Sequence, residues 1–261
     1  MMVKVTLQGG LIYLTMALFL AAAVLLRGKY RAAGRALWFF GFGVAVASVV
    51  WRGLHTGHPP MQNLFEFFLC MAAFLWPLSF LSRRQTGADT AFQDALLGLL
   101  ILFPAGFVFS EEVRRLPPAL QSPLFIPHVG SYVTGYVLLA RAALMALPLF
   151  RADADAARVR QADAASRQTA AAGFVLLTLG LLLGSLWGKI CWGHYWQWDP
   201  KEMWSLATWF AYGGYFHYRL KHGLRRPRTL AALLWAGLLF VVLTLTWINV
   251  SKFFIGVHSY A

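Results

Sequence analysis

The sequence predicts an all-α membrane bundle of about eight transmembrane helices, and three observations carry that reading. Apolar residues make up 59% of the 261-residue chain and charged residues only 13%, where a soluble domain carries about a quarter charged. Eight apolar stretches have roughly the length needed to cross a hydrocarbon core, about 20 residues,. The Lys and Arg residues fall in short clusters between those stretches and build no continuous basic face. The net charge of +13 is therefore an orientation signal for membrane insertion and not a nucleic-acid surface. Two cysteines, Cys70 and Cys191, lie far apart without CxxC spacing. They suit buried structural thiols better than a disulfide framework or a redox pair.

In order, the spans cover residues 9–26, 36–54, 61–82, 91–110, 128–150, 171–190, 203–218 and 229–250. Arg27, Lys29, Arg31 and Arg35 follow the first apolar run, whereas a signal peptide carries its charges ahead of it. The first span is accordingly expected to be a retained helix with its N-terminus outside. The connections after spans one, three, five and seven hold fifteen of the 23 Lys and Arg residues. The other side holds seven, and Arg141 lies within span five. The positive-inside rule puts the fifteen in the cytoplasm and both termini in the periplasm. Residues 151–167 form the one sizeable cytoplasmic connection, Ala-rich and mixed in charge, with room for a short surface helix. The chain 1–261 thus reads as a single integral-membrane domain in a bacterial inner membrane, without internal repeats.

The chemistry is concentrated in residues 187–204, an outer connection holding Trp187, Trp192, Trp196, Trp198, Trp204 and Tyr195. An interfacial aromatic belt explains one or two tryptophans. Five in eighteen residues, with Gly193 and Pro200 interrupting helical regularity, suggest instead a wide, flat, rigid apolar platform for a planar ligand. Composition alone leaves both readings open. Lys189 and Lys201 are placed to face ligand carboxylates, and Asp199 and Glu202 to cap the following helix.

The run Trp192-Gly193-His194-Tyr195-Trp196-Gln197-Trp198-Asp199-Pro200-Lys201-Glu202 closely resembles the tryptophan-rich WWD motif of haem-handling proteins. Its Asp-Pro-Lys-Glu continuation resembles the CcsA (ResC-type) branch of System II cytochrome c biogenesis, as distinct from the CcmC and CcmF branches of System I. Two further segments are similar to the same family. One is His55-Thr-Gly-His58-Pro-Pro-Met-Gln-Asn63-Leu-Phe-Glu66, with Phe65 where the family has Tyr; the other is the ending Gly256-Val-His258-Ser259-Tyr260. The resemblance covers most of the chain beyond about residue 50 and little of the first helix.

What the resemblance implies is a haem site at the periplasmic face. Neutral imidazoles ligate haem iron, and two on opposite faces give a six-coordinate site. His128, just after Pro127, and His258, in the tail after span eight, stand at the family's ligand positions and are expected to be its axial pair. Trp192, Trp196, Trp198 and Asp199 are expected to hold the macrocycle. His217, thirteen residues beyond Trp204, lies about 20 Å down its helix, where an ionisable group is a functional candidate. The resemblance makes it a transmembrane haem ligand, with the opposing ligand supplied by a CcsB-type partner. Arg141, about equally deep, either snorkels to the cytoplasmic headgroups or pairs a haem propionate. His194 lies within the platform, His55 and His58 are weaker supporting candidates, and His222 belongs to the cytoplasmic basic cluster.

The implied function is cytochrome c assembly: haem b, substrate as well as ligand, is taken up, presented periplasmically and attached to the CxxCH motif of an apocytochrome c. The chain would act as part of a haem lyase complex with the CcsB-type partner, with thiol-reducing proteins as further partners. The rival readings are a CcmC-like carrier without ligase activity, a HemX-like regulator of tetrapyrrole synthesis, and a b-type electron-transfer subunit.

Overall fold

In the computed structural model, which describes residues 3–153 and 155–247, every regular element is helical. Eight α-helices follow in order: α1 Leu7–Arg27, α2 Arg31–Thr56, α3 Leu64–Thr86, α4 Ala91–Phe107, α5 Phe125–Met145, α6 Ala156–Trp192, α7 Pro200–His222 and α8 Pro227–Val242. Each expected span has its helix. Six of the eight are long and apolar enough to cross a membrane, α5 and α8 with the short helical turns that extend them. α4 is apolar but has only 17 residues, and α7 is diluted by polar and charged residues at both ends.

The connection at 151–167 is the clearest departure from the expected outline. Helix α6 begins at Ala156 and runs 37 residues without a break, so most of that connection continues span six. The cause is local: Ala, Arg and Gln are strong helix formers, and the Asp155 side chain accepts the Ala157 N–H at the N-cap,. On this extension Asp163 pairs in bidentate fashion with Arg219 of α7. One of the fifteen orientation charges is therefore also a structural partner.

The chain divides into two compact units, Met1–Leu120 and Gln121–Ala261. In the first, α1 to α4 pack through residues that lack side chains. The Phe19 ring is wholly buried between Gly41 of α2 and Gly98 of α4, where an added Cβ would come within 2.8 and 2.5 Å of the ring. Without a hydrophobic driving force between helices in lipid, such close approach is what holds them together. One end of this unit carries a buried ion pair, Arg52 Nε to Glu66 Oε1 at 2.9 Å. The other guanidinium nitrogens donate to the carbonyls of Glu111 and Glu112 at 2.7 and 3.1 Å. The Gln62 N–H donates to Glu66 Oε2, while Asn63 Oδ1 caps α3 by accepting the Glu66 N–H. The Asn63–Glu66 segment thus clamps the helix ends of its own unit, with each charge satisfied on several sides as burial requires.

In the second unit α5 lies against α6, and α8 packs on both α5 and α7. The α5–α6 contact again follows glycines: Leu139 meets Gly173, Tyr132 meets Gly180 and His128 meets Gly184. Tyr212 of α7 sits over Gly237 of α8, where a Cβ would approach the ring to 2.6 Å.

Candidate functional site

His128 occupies the first turn of α5, and α6 determines where its ring lies. A Cβ at Gly184 would come within 2.6 Å of His128 Cε1, so the imidazole fits only because position 184 is glycine. His128 Nδ1 is 2.9 Å from the Gly180 carbonyl oxygen. A carbonyl only accepts, so Nδ1 carries the proton and, in the neutral ring, Nε2 is the basic nitrogen. Tyr132 meets the ring edge-on at 5.2 Å and Trp187 lies at 5.3 Å. Trp187 is buried and in turn packs against Trp192 at 5.6 Å. The structure therefore puts the expected ligand against the first tryptophan of the segment.

After Trp192 the chain turns at Gly193, whose φ is +83°, and folds back over the last turns of α6. Ser185 Oγ donates to the Tyr195 carbonyl at 3.0 Å and Lys189 Nζ to the Gly193 carbonyl at 2.8 Å. A Cβ at Gly188 would stand 3.2 Å from the His194 carbonyl. Trp198 then adopts φ 58°, a left-handed conformation that is costly for a bulky residue and marks functional segments when it persists. The next turn holds it there. Asp199 and Glu202 form a capping box on α7: Asp199 Oδ1 accepts the Lys201 N–H, and Glu202 Oε2 accepts the N–H groups of Gln197 and Asp199.

The tryptophans do not lie in one plane, as a flat platform would require. Trp187 and Trp192 are tilted by 46°, and Trp196 meets Trp198 edge-on at 87°. Ring quadrupoles favour such tilted and edge contacts over coplanar or face-to-face arrangements. The segment is thus a cluster with a buried base at Trp187 and an exposed edge at Trp198, which is 68% accessible. Asp199 is buried and its carboxylate serves the helix cap. Lys201, beside it, has its ammonium pKa lowered to about 8 because burial disfavours the charge, an effect the Asp199 carboxylate partly opposes,.

The remaining expected residues are spread along the unit. Arg141 is fully buried in α5, so it does not snorkel to a headgroup surface. His217 is exposed on α7, on a stripe with Met203 and Phe210, which are 44% and 62% accessible. Beside it, Gly213 and Gly214 have open space where a Cβ would project. His194 is exposed and His222 half-buried, the latter against the Tyr218 ring at 4.4 Å. In the first unit His55 stacks on Trp51 at 6.0 Å, and His58 Nδ1 donates to the Pro59 carbonyl at 3.0 Å. His258 lies outside the described residues. No cluster of three or more His, Cys, Asp or Glu residues suited to a bare metal ion occurs among the described residues.

Several contributors were not singled out from the sequence: Gly180, Gly184, Ser185 and Gly188 on α6, and Arg52 in the first unit. The repeating Gly-xxx-Gly spacing at 180, 184 and 188 was a readable signal for close helix approach.

These features define a multi-pass helical membrane protein with a histidine-anchored tryptophan cluster at the junction of α6 and α7. The chain belongs to the cytochrome c assembly protein family, whose model matches residues 61–258. It is 31% identical over 254 residues to the cytochrome c biogenesis protein CcsA of Synechococcus sp. (strain CC9605), covering 82% of each chain. Against the CcsA of Prochlorococcus marinus (strain MIT 9303) it is 30% identical over 261 residues, covering 83% of this chain and 80% of that one. Its role is in cytochrome c biogenesis, and the family implies haem handling.

Proposed function

We propose that the chain binds haem b at the tryptophan segment and presents it, as substrate, for attachment to an apocytochrome c. The observation that carries this reading is the seating of His128. Its Nδ1–H is committed to the Gly180 carbonyl and its ring is backed by Trp187, the arrangement that orients an imidazole and raises its basicity toward iron. His128 and His258 are the axial ligands. Trp192, Trp196 and Trp198 enclose the macrocycle, and Lys201 lies where a propionate needs a cation. Asp199 acts by capping α7 and so fixing the segment. Arg141, buried in α5, is assigned to a haem propionate deeper in the helix bundle.

All eight helices cross the inner membrane in this reading, with both termini and the tryptophan segment periplasmic. The chemistry is addition of a cysteine thiol across a haem vinyl group. A C–S bond forms at one vinyl carbon, the thiol proton ends on the other, and no net electrons are exchanged. The protein's part is ligation and orientation. The partner is a CcsB-type membrane protein that completes the site at His217, whose exposure on α7 leaves it accessible to a second chain. The two together constitute the haem lyase, acting within residues 1–261 of this chain as one haem-handling domain.

The test separates ligation from shape. His128→Ala or His258→Ala should convert six-coordinate haem to a five-coordinate or water-ligated form and stop cytochrome c assembly. Added imidazole should partly restore the low-spin spectrum. Trp196→Ala with Trp198→Ala removes the rings that enclose the macrocycle and spares the ligands, so haem should be lost and imidazole should not help. Unchanged spectra in both histidine variants would end the proposal.

A further inference from the structure

Five arginines converge on one cavity of the second unit, at the end of α6 opposite the tryptophan segment. The cavity measures about 880 Å³ and is bordered by Arg151, Arg160, Arg225, Arg226 and Arg228. It borders the start of α6 at Ala156, which the Asp155 carboxylate caps, and the start of α8 at Pro227, which has no side-chain cap and adds its positive dipole end,. Arg151 pairs with exposed Asp153 at 3.2 Å. The side chains of Arg160, Arg225, Arg226 and Arg228 have no carboxylate partner among the described residues. The positive-inside rule accounts for arginines on this side of the membrane. It does not account for their gathering around one concavity whose remaining wall, Thr229 apart, is apolar.

That wall includes Leu149, Val159 and Leu224, and none of the twelve bordering residues is aromatic. Guanidinium forks match phosphate oxygens in bidentate geometry, and basic pockets between helices on the cytoplasmic side suit acidic lipid headgroups. A porphyrin would call for aromatic walls, which the segment around Trp192 has and this cavity lacks. We infer that the cavity binds the headgroup of an anionic phospholipid, with the two phosphates of a diphosphatidylglycerol as the best match to its charge. The phosphates lie against the arginines and the start of α8, and the glycerol backbone and first methylenes run along Leu149 and Leu224. With the sidedness proposed above, the cytoplasmic leaflet supplies the lipid.

The experiment uses the full chain, purified in a mild detergent and relipidated with defined phospholipids. Retained lipid is counted by native mass spectrometry, and the lipid-dependent rise in Tm is recorded. Diphosphatidylglycerol should be retained at about one per chain and raise Tm at lower concentration than phosphatidylglycerol, while phosphatidylcholine should do neither. The triple variant Arg160→Gln/Arg225→Gln/Arg228→Gln should weaken retention about a hundredfold, from about fivefold for each arginine near an acidic surface. Arg83→Gln/Arg84→Gln, in the first unit and not among the residues that border the cavity, should leave it unchanged. A triple Arg→Lys variant keeps the charge needed for insertion and should lose the preference for two phosphates over one. Equal protection by phosphatidylcholine, or by inorganic phosphate at the same concentration, would overturn the lipid assignment. So would displacement of the lipid by one equivalent of ferric protohaem in the parent chain but not in the triple variant, which would make the cavity a haem-uptake site.

Discussion

His128 owes its position to a neighbour without a side chain. Adding one methyl at Gly184 places a Cβ 2.6 Å from the ring, which forces the imidazole off the Gly180 carbonyl. Losing a net hydrogen bond costs about 0.5–1.5 kcal/mol, so Gly184→Ala should lower the low-spin haem fraction about two- to tenfold with every proposed ligand still present. Gly130→Ala is the matched control, since open space surrounds that position, and it should leave the spectrum untouched. If both variants bind haem normally, the groove is packing alone. Lys201 offers a second test at this scale. In the free protein its pKa is near 8, and a bound propionate would favour the ammonium and raise it. Haem therefore binds the protonated form more tightly, and affinity should fall as pH rises through 8. Asp199 and Glu202 are the acidic groups beside it, at the N-cap and in the first turn of α7. In Lys201→Met the fall between pH 7 and 9 should vanish, and binding at pH 7 should already be weak. A parent chain with flat affinity over that range would remove Lys201 from the site.

At the scale of the element, the α6–α7 junction shows a capping box acting on residues outside the helix it caps. Glu202 Oε2 reaches back to the N–H groups of Gln197 and Asp199, which flank Trp198 in its left-handed conformation. Asp199→Ala should cost about 1 kcal/mol, the usual value of a lost N-cap, and should loosen haem retention because the segment is no longer pinned. Asp199→Asn preserves the cap and should restore retention. Failure of Asn to restore it would show that the carboxylate itself meets the ligand. The cap was legible because Asp, Pro and Glu stand at N-cap, N1 and N3 spacing, a purely local pattern. The spans were legible for the same reason, since apolar length is local. Two things were not. The tilt between rings depends on how the segment folds back onto Ser185, Gly188 and Lys189, which no spacing rule encodes. The burial of Arg52 against Glu66 joins two helices, and counting charges by side carries no information about such a pairing.

At the scale of the whole molecule, the placement of histidines predicts how the protein depends on a second chain. His128 is enclosed by its own unit, with α6 supplying a hydrogen bond and Trp187 a ring contact. His217 has neither. It is exposed on α7, makes no hydrogen bond among the described residues, and shares its face with Phe210 and the open positions at Gly213 and Gly214. If α7 crosses the membrane as proposed, an exposed histidine there is costly at depth unless something covers it, and the open space at Gly213 and Gly214 leaves room for a flat group or a close helix. A self-sufficient transmembrane haem site would need a second ligand from this chain facing the same stripe; a shared site takes it from the partner. Haem occupancy at the His217 position should therefore be low in the chain purified alone and should rise on co-expression with the CcsB-type protein. His217→Ala should abolish that rise while leaving the spectrum assigned to His128 in place. His222→Ala, five residues on and half-buried against Tyr218, should change neither. Equal occupancy with and without the partner would show that His217 needs no second chain. A rise on co-expression that survives His217→Ala would place the shared ligand elsewhere on this surface.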